Sequence, residues 1–356
     1  MKNVLVTGGA GFIGSNFIRS LLLDSPETRI INLDALTYAG SFENLRNLPD
    51  DSQYLFIHGD ICDEQIVNDV LSKYEIDTII HFAAESHVDR SIVGPSKFIQ
   101  TNIVGTFTLL DAAKRYWLDK SPQSSESFRF HHISTDEVYG ALLPDENAWT
   151  EHSPYSPHSP YSASKASSDH LVRAYGSTFG LPFTITNCSN NYGPYQFPEK
   201  LIPLVILNAI EEKPLPIYGD GLQVRDWLYV QDHCYAIIKV LRFGQLGHSY
   251  NIGGGNQPTN LFIVQNICDL VDEYVPLNYS RRDLIQFVKD RPGHDRRYAM
   301  DSTKISSELG WQPQFTLESG LRKTVKWYLD HPEWVEAIRK QNNYQAWLEN
   351  NYQNRF

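Results

Sequence analysis

The chain has 356 residues, of which 41% are hydrophobic and 21% are charged, a composition typical of a globular protein with about two domains. A net charge of −11 argues against a nucleic-acid partner, and no apolar run approaches the roughly 20 residues that span a bilayer. The N-terminus lacks the apolar segment of a signal peptide, which favours a cytoplasmic location.

Short β-rich apolar runs alternate with longer amphipathic stretches over the first half of the chain. The predicted strands are Val4–Thr7, Ile30–Asp34, Tyr54–His58, Thr78–Phe82, Phe130–Ser134 and Phe183–Asn187. The predicted helices between them include Phe12–Leu23, Ser96–Trp117 and Tyr161–Phe179. This alternation predicts βαβ units and an α/β fold with a doubly wound, parallel Rossmann sheet.

The pattern loosens in the second half, where Pro and Gly become frequent. We predict a dinucleotide-binding domain over residues 1–190 and a smaller, mainly substrate-binding lobe over residues 191–356, with some segments returning to the first domain. Of two polar stretches in the first domain, residues 119–127 predict an exposed loop and residues 144–160 predict a wall of the site. The polar tail, residues 334–356, has spaced aromatics and predicts a surface helix with a frayed end.

A glycine-rich turn joins the first predicted strand to the first predicted helix. The run Thr7–Gly14 matches G-x-G-x-x-G, whose glycines let the backbone approach a pyrophosphate at the positive end of the helix dipole. Asp34 ends the second strand twenty residues after Gly14, where an acid hydrogen-bonds the adenosine ribose and repels a 2′-phosphate. The sequence therefore predicts NAD rather than NADP. The alternative is a structural turn with an unrelated aspartate.

Two short runs after later strands are weaker cofactor candidates. Asp60 and Ile61 follow the third strand and are placed to reach the adenine, although Asp60 could equally cap the next helix. Ala83 and Ala84 follow the fourth strand, where small side chains let the backbone lie close to a cofactor.

Tyr161 and Lys165 are four residues apart and share one face of a predicted helix. A tyrosine with a pKa of about 10 is a poor base at neutral pH, but a lysine ammonium and an oxidised nicotinamide both favour the phenolate. We therefore expect these two cations to lower the pKa of Tyr161. By itself the Y-x-x-x-K spacing is more often a surface pairing, and the glycine turn upstream favours the functional interpretation.

The run Ser134-Thr135-Asp136-Glu137 ends a predicted strand at the sheet edge where open α/β sheets bind ligands. Thr135 would orient a sugar hydroxyl, and two adjacent carboxyls would separate their pKa values, so that one is an acid and the other a base. Successive strand residues point to opposite faces, so both carboxyls serve one site only if the chain leaves the strand here. The alternative is a helix capping box of Ser134 and Glu137.

The four cysteines are Cys62, Cys188, Cys234 and Cys268. They are far apart and form no C-x-x-C pair, which disfavours a disulfide framework and a metal site and predicts buried thiols.

With these motifs the chain resembles the dTDP-glucose 4,6-dehydratases, a family of extended short-chain dehydrogenases/reductases. The resemblance runs over nearly the whole length. The Thr-Asp-Glu triplet is its most specific part, because related families share the glycine turn and the Tyr/Lys pair. The other segments that carry the resemblance are residues 34–40, 84–91, 190–194, 225–227 and 291–295.

The resemblance implies an NAD-dependent dehydration of dTDP-glucose to its 4-keto-6-deoxy product. Tyr161, beside Lys165, would take the proton of the carbon 4 hydroxyl while NAD accepts a hydride, and Thr135 would steady that oxygen. Glu137 would then remove the carbon 5 proton as Asp136 protonates the leaving carbon 6 hydroxyl. Return of the hydride to carbon 6 would regenerate NAD. Rhamnose and other deoxysugars are the usual destinations of the product.

The resemblance also implies two sets of binding residues and a homodimer joined through the Tyr-bearing helix and the helix before it. Cofactor contacts are expected from Gly8, Gly11, Phe12, Ile13, Gly14, Asp34, Thr37, Asp60, Ile61, Ala83, Ala84, Thr101, Tyr161, Lys165 and Asn191. Substrate contacts are expected from Ser86, Thr135, Asn190, Lys200, Leu201, Pro216, Tyr218, Arg225, Asn260, Arg291 and His294. Arginine suits phosphate because its planar fork binds two oxygens. Surface salt bridges are the alternative for Arg296 and Arg297.

Three other functions stay open. A nucleotide-sugar 4-epimerase shares the glycine turn and the Tyr/Lys pair but has no use for Asp136 and Glu137. A GDP-mannose dehydratase is disfavoured by Asp34, since such relatives prefer NADP. A non-catalytic dinucleotide sensor would not need to keep every proton-transfer residue.

Overall fold

The computed structural model describes residues 1–119 and 128–340, together with Tyr344 and Asn351. The strands are β1 Asn3–Thr7, β2 Arg29–Asp34, β3 Tyr54–His58, β4 Thr78–His81, β5 Arg129–Thr135, β6 Phe183–Cys188, β7 Asn190–Tyr192, β8 Leu215–Tyr218, β9 Trp227–Tyr229, β10 Ser249–Ile252 and β11 Ile285–Val288. The α-helices are α1 Phe12–Asp24, α2 Glu64–Lys73, α3 Val88–Val93, α4 Pro95–Phe98, α5 Thr106–Ala113, α6 Pro160–Phe179, α7 Leu201–Ile210, α8 Val230–Phe243, α9 Asn260–Tyr274, α10 Thr303–Leu309, α11 Leu317–Asp330 and α12 Pro332–Arg339. Short 3₁₀ helices cover Phe42–Leu45, Asp136–Tyr139 and Arg281–Leu284, and π-helical turns cover Ile99–Gly105 and Lys114–Asp119.

A seven-stranded parallel sheet forms the centre, in the order β3-β2-β1-β4-β5-β6-β10. The strand order reverses between β1 and β4, and at such a switch point a crevice opens at the carboxyl ends of the strands. This confirms the predicted doubly wound Rossmann class.

The predicted elements of the first half are confirmed. All six predicted strands agree with the observed ones to within one residue at each end. The helix predicted between residues 96 and 117 is also present, as a continuous run of α-helical and π-helical turns from Pro95 to Asp119. Agreement is close because most of these strands, such as β1, β4 and β6, are buried on both faces, so each is a short apolar run with clear ends.

Helices cover both faces of the sheet. Side chains of β1 alternate between the faces: Val4 and Val6 belong to a core shared with α1 and α8, whereas Leu5 packs with α2, α5 and α6. The α8 helix and β10 come from beyond residue 190, so parts of the second half complete the sheet. The predicted division of the chain at residue 190 itself stays a prediction.

The rest of the second half builds a smaller lobe with its own core. Helices α7, α9 and α11 surround a cluster that includes Ile206, Ile263 and Val325. Two small parallel sheets, β8 with β11 and β7 with β9, connect this lobe to the cavity described below.

The described start of the tail is helical, as predicted, and belongs to α12, but one face of this helix is buried. Trp334 of α12 is buried, and its indole N–H donates to Oδ1 of Asn44 at 2.9 Å. Tyr344 is also buried. The spaced aromatics thus pack inward, which polar composition alone does not indicate. The remaining tail beyond residue 340 and all but Asp119 of the predicted loop 119–127 lie outside the described residues.

The prediction of buried thiols is confirmed for three of the four cysteines. Cys188, Cys234 and Cys268 are buried and free, whereas Cys62 is free but partly exposed. In the part of the chain that the structure describes, no helix is both long and apolar enough to cross a membrane. Within the same residues, no group of three His, Cys, Asp or Glu side chains is arranged to hold a metal ion.

Candidate active site

One cavity of about 430 Å³ lies at the carboxyl ends of the central strands and is closed on its other side by the smaller lobe. Every residue predicted above to contact cofactor or substrate, or to take part in catalysis, lines this cavity. The tertiary structure therefore gathers side chains from the whole span between Gly8 and His294. Their individual roles remain predictions.

One predicted wall is not found there. The stretch 144–160 does not line the cavity; only Tyr161, which follows it, does. Its aromatic residues explain the difference: Trp149 is buried, stacks on Tyr139 with ring centroids 5.5 Å apart, and pairs its backbone with Ala299. This stretch is held against a distant segment by packing that its Pro, Ser and His content does not reveal.

The glycine turn lies at the switch point of the sheet. Gly8 has φ +74°, and a Cβ there would lie 2.6 Å from the backbone nitrogen of Ala83, which follows β4. A Cβ on Gly14 would lie 2.4 Å from the Gly8 carbonyl oxygen. Helix α1 begins at Phe12, and its N-cap residue Gly11 has no side chain to bond the first N–H groups. Bare backbone and free donors therefore face the cavity, as a pyrophosphate site requires.

Asp34 ends β2 beside this turn. Its Oδ2 accepts from the Ala10 N–H and its Oδ1 from the Leu36 N–H, both at 2.8 Å, so the carboxylate is fixed in place. Burial raises its pKa, and these two N–H donors oppose the rise. Each oxygen keeps a further lone pair for ribose hydroxyls. The capping alternative for Asp60 is wrong, because Asp63 caps α2.

Asp136 and Glu137 follow β5 in a short 3₁₀ helix, so the chain leaves the strand where a shared site requires it to. The side chain of Thr135 caps this helix by accepting from the Glu137 N–H at 3.3 Å. The predicted capping box is wrong, since Ser134 donates its hydroxyl to Asp169 instead. Both carboxyls therefore reach one cavity.

The two carboxyls differ in their surroundings. Burial, followed by the charge of Glu137, raises the pKa of Asp136 well above its usual range. Burial also raises the pKa of Glu137, but Arg291, Lys200 and Arg225 oppose that rise. Asp136 is thus the carboxyl of the pair that holds its proton more strongly, and Glu137 is the one that ionises more readily. The Oδ2 of Asp136 is buried and has no hydrogen-bond partner among the residues that the structure describes.

Tyr161 and Lys165 lie in the first turns of α6, whose start is fixed by Pro160 and by a capping box between Ser159 and Ser162. Burial, followed by the charge of Glu137, raises the pKa of Tyr161 well above its usual range. The predicted lowering also needs the charge of an oxidised nicotinamide, so it stays a prediction. Burial also lowers the pKa of Lys165 to about 8, and its ammonium donates to the Ile133 carbonyl at 2.7 Å.

Three cations line the other end of the cavity; Arg225 is buried, and Lys200 and Arg291 are partly buried. Lys200 donates to the Ser86 carbonyl at 3.1 Å, and Arg291 donates to Asp89 at 3.1 Å. The guanidinium of Arg225 lies 4.2 Å from the ring centroid of Tyr298. The Nε of Arg291 is buried without a partner among the described residues. Three cations held in one cleft favour a ligand with several negative charges.

Arg296 and Arg297 lie outside this group of cations. Arg296 pairs with Asp220 at 2.8 Å, and Arg297 donates to Gln257; both arginines are exposed at these contacts. The surface alternative thus describes them, and neither lines the cavity.

The sequence analysis did not single out several polar residues that line the cavity: Tyr38, Glu85, His87, Asp89 and Glu199. Three of them lie in the segment 84–91 that carries the family resemblance, and Glu199 precedes Lys200. The sequence feature that could have identified these residues is therefore their proximity to residues already predicted. Arg90 pairs with Glu199 at 2.8 Å and lies over the Tyr38 ring at 4.0 Å. Such pairing across more than a hundred residues leaves no local pattern.

The fold and this set of side chains are those of an extended short-chain dehydrogenase/reductase that acts on a nucleotide sugar. The sequence model of the family described as GDP-mannose 4,6 dehydratase matches residues 5–324. A dTDP-glucose 4,6-dehydratase of Shigella flexneri is 57% identical to the chain over 99% of both proteins. The chain belongs to this family of nucleotide-sugar dehydratases, among the dTDP-glucose 4,6-dehydratases.

Solved structures give the same assignment. The dTDP-glucose 4,6-dehydratase of Streptomyces venezuelae, solved with NAD bound, has a TM-score of 0.86 and 46% identity, covering 94% of this chain and 99% of that one. A UDP-glucose 4-epimerase of Thermotoga maritima has a TM-score of 0.80 but only 29% identity, covering 93% of this chain and 99% of that one. Epimerases thus share the fold, whereas sequence identity separates this chain from them.

Proposed function

We propose that the chain catalyses the NAD-dependent dehydration of dTDP-glucose to dTDP-4-keto-6-deoxyglucose. The observation that carries this proposal is the adjacency of a carboxyl that holds its proton more strongly, Asp136, and one that ionises more readily, Glu137, in the same cavity as Tyr161. Elimination of water needs one group to remove a proton and another to supply one, and few simpler reactions need both.

The cavity fits NAD at its glycine-turn end. Bare backbone at Gly8 and the free N–H groups at the start of α1 suit the pyrophosphate, and the oriented carboxylate of Asp34 suits the adenosine ribose. Bound NAD supplies a hydride acceptor next to carbon 4 of the sugar and returns the hydride to carbon 6. The cations Lys200, Arg225 and Arg291 would hold the nucleotide diphosphate.

In the first step, Tyr161 as phenolate takes the proton of the carbon 4 hydroxyl. The positive charge of Lys165 favours the phenolate, and it must act together with the oxidised nicotinamide because burial alone opposes ionisation. Thr135 forms a hydrogen bond with Tyr161 and is placed to hold the same sugar oxygen. The product of this step is a 4-ketone, which makes the carbon 5 proton acidic.

In the second step, Glu137 takes the carbon 5 proton while Asp136 donates its proton to the carbon 6 hydroxyl, which leaves as water. The unpartnered Oδ2 of Asp136 is the atom free to carry that proton, since Oδ1 already accepts from Thr135 at 3.1 Å. Glu137 then returns its proton to carbon 5.

One proton must move before the next turnover. Tyr161 ends the cycle protonated and Asp136 ends it ionised, so a net proton passes from the phenol to the carboxylate. The Thr135 hydroxyl hydrogen-bonds both side chains and lies on that path.

A homodimer agrees with the exposed apolar residues. Ile99 and Phe107, on the helical run before α6, are 47% and 46% exposed. This run packs beside α6, whose Ala163 and Ala174 are also exposed. Exposed apolar side chains of this size indicate a contact surface. Sedimentation of the wild type and of Phe107→Asp tests this: the substitution should yield monomers, whereas a monomeric wild type would contradict the proposal.

The remaining proposals concern context. Residues 191–356 would form mainly the substrate-binding part, apart from the segments that complete the sheet. Four cysteines without a disulfide suit a reducing compartment such as the cytoplasm. The product would enter deoxysugar biosynthesis, with rhamnose as one destination that the family resemblance suggests.

One labelling experiment tests the proposed function. The protein is incubated with NAD and dTDP-glucose that carries deuterium at carbon 4, and the product is examined by mass spectrometry and NMR. Dehydration predicts loss of water and transfer of deuterium to carbon 6. An unchanged mass with inverted carbon 4 would instead indicate a 4-epimerase, and no reaction would leave a dinucleotide sensor.

A further inference from the structure

Lys165 adjoins a buried polar cluster that the proposed mechanism does not use. We call it the Asp169 cluster: it consists of Asp169 with His132, Ser134, Tyr155 and Asn187. Asp169 lies one helical turn after Lys165 on α6 and is fully buried. It does not line the cavity, so it acts on the reaction only through its neighbours.

The contacts of Asp169 form a chain that ends at Lys165. Its Oδ2 accepts from the hydroxyls of Ser134 and Tyr155, each at 2.8 Å. Its Oδ1 lies 3.2 Å from Nε2 of His132, and that nitrogen lies 3.5 Å from the ammonium of Lys165. Asp169 and Lys165 of α6 and His132 of β5 are all buried, and the imidazole of His132 lies between the other two side chains.

The charges in this chain can be assigned. Burial alone would raise the pKa of Asp169, but the hydrogen bond and charge of His132, the charge of Lys165 and the hydrogen bond of Tyr155 keep it below its usual value. Burial, followed by the charge of Lys165, lowers the pKa of His132 to about 4, so the imidazole is neutral at pH 7. Burial also lowers the pKa of Lys165, and Asp169 is the foremost charge that opposes this.

Groups from several elements face Lys165 and Asp169: His81 of β4, His132 of β5, Cys188 of β6, Tyr155 from the loop before α6, and Arg173 of α6. Burial leaves the two histidines neutral and raises the pKa of the Cys188 thiol to about 12 and that of Tyr155 as well. Arg173 is directed to the Ser249 hydroxyl at 2.7 Å. Asp169 is therefore the anion of this group at neutral pH.

We propose that Asp169 is a positioning residue for Lys165: its buried negative charge, next to the neutral imidazole of His132, keeps the ammonium protonated and held on the Ile133 carbonyl during catalysis. The inference rests on the proposed function, in which a charged Lys165 favours the Tyr161 phenolate. Without Asp169, Lys165 would be a buried cation with no anion among the groups named above, and burial favours its deprotonation.

Asp169→Asn tests the role of the charge because it keeps the shape of the side chain. For this variant we expect the alkaline limb of the kcat profile to move to lower pH by at least about one unit, and kcat near pH 8 to fall about tenfold or more. The KM for dTDP-glucose should stay within about threefold, since Asp169 does not reach the substrate cavity.

Two further variants separate charge from structure. Asp169→Glu keeps the negative charge and should return the alkaline limb toward that of the wild type. Tyr155→Phe removes one hydrogen bond to the same carboxylate oxygen without removing charge, and should leave the limb in place. An unshifted limb in a folded Asp169→Asn variant, or an equal shift in Tyr155→Phe, would overturn the proposal.

Thermal unfolding without cofactor gives a readout that does not depend on turnover. Lys165→Met and Asp169→Asn should each lower the melting temperature by leaving one charge buried and unpaired, and the double variant should lose less than the sum of both. If Asp169→Asn alone does not fold, recovery of a folded double variant supports the pairing, and failure to recover overturns it. Additive losses also overturn it. A wild type that turns over no dTDP-glucose would contradict the proposed function instead. The comparison of melting temperatures among the three variants would still be valid.

Discussion

The two halves of the cavity bind by different means. The cofactor half, formed by the glycine turn and Asp34, presents backbone so tightly packed that a Cβ on Gly8 would lie 2.6 Å from Ala83. The substrate half, formed by Lys200, Arg225 and Arg291 with their partners, presents charged side chains. We infer that the cofactor half is governed by shape and the substrate half by charge.

The reacting groups lie between these halves and take their properties from the substrate half. The same three cations that suit a diphosphate also lower the pKa of Glu137 relative to the effect of burial alone. At Asp136, Arg225 is the one of these cations that most opposes the rise in pKa. Substrate binding and the difference in pKa between the two carboxyls therefore depend on the same arginines.

The largest effect is expected where the two halves meet, at Glu137. Glu137→Gln removes the base, so kcat for dehydration should fall by about 100- to 10,000-fold. Exchange of the carbon 5 proton with deuterated water, followed by NMR, should be lost in parallel. Retention of NAD should be unchanged because the cofactor half is intact. The matched control is Glu27→Gln, an exposed carboxyl; a similar loss there would show that the effect is not specific to the site.

Asp136→Asn should also slow dehydration strongly, by about 100-fold or more, because the leaving hydroxyl loses its acid. In a substrate with fluorine in place of the carbon 6 hydroxyl, the leaving group is fluoride. Fluoride leaves as an anion and needs less protonation than a hydroxyl does. The variant should therefore eliminate fluoride at a rate much closer to that of the wild type. Equal losses with both substrates, measured by fluoride release and by product formation, would contradict the assignment of Asp136 as the acid.

Arg225→Gln tests whether binding and acidity share one cation. We expect the KM for dTDP-glucose to rise about 10- to 100-fold through loss of a charged contact. Since Arg225 opposes the raised pKa of Glu137, removing it should raise that pKa further, so activity should begin to fall at a higher pH as the solution is acidified. Arg296→Gln, an exposed arginine paired with Asp220, is the control and should change neither quantity. If the KM rises but the acid limb of the pH profile does not move, Arg225 contributes to substrate binding and not to the pKa of Glu137.

Asp34→Asn should have the smallest effect and should be confined to the cofactor half. Loss of the carboxylate weakens the ribose contacts and removes the repulsion of a 2′-phosphate, so the preference for NAD over NADP should drop by about tenfold. With saturating NAD, kcat should stay within about threefold of the wild type. Titrations with NADH and NADPH by fluorescence measure this. An unchanged preference would mean that shape alone selects the cofactor.

The cofactor half was largely predictable from sequence because its parts are local. The glycines, the start of α1 and the end of β2 are defined within a few residues by apolar runs and turn chemistry. The Thr135-Asp136-Glu137 run also stood out, as did the condition that the chain leave the strand there. That Thr135 rather than Ser134 caps the short helix could not be predicted, because Ser134 is bound by Asp169, which lies in a different element.

The sequence by itself determined the Rossmann class and the strands of the first half, since period, spacing and turn chemistry are local properties, and its resemblance to a known family supplied most of the binding residues expected around the cavity. Only the tertiary structure decided which residues pair across the chain, such as Arg291 with Asp89 and Trp334 with Asn44. It also decided that burial raises the pKa of Tyr161. Burial and long-range pairing depend on how distant segments pack together, and no short stretch of sequence carries that information.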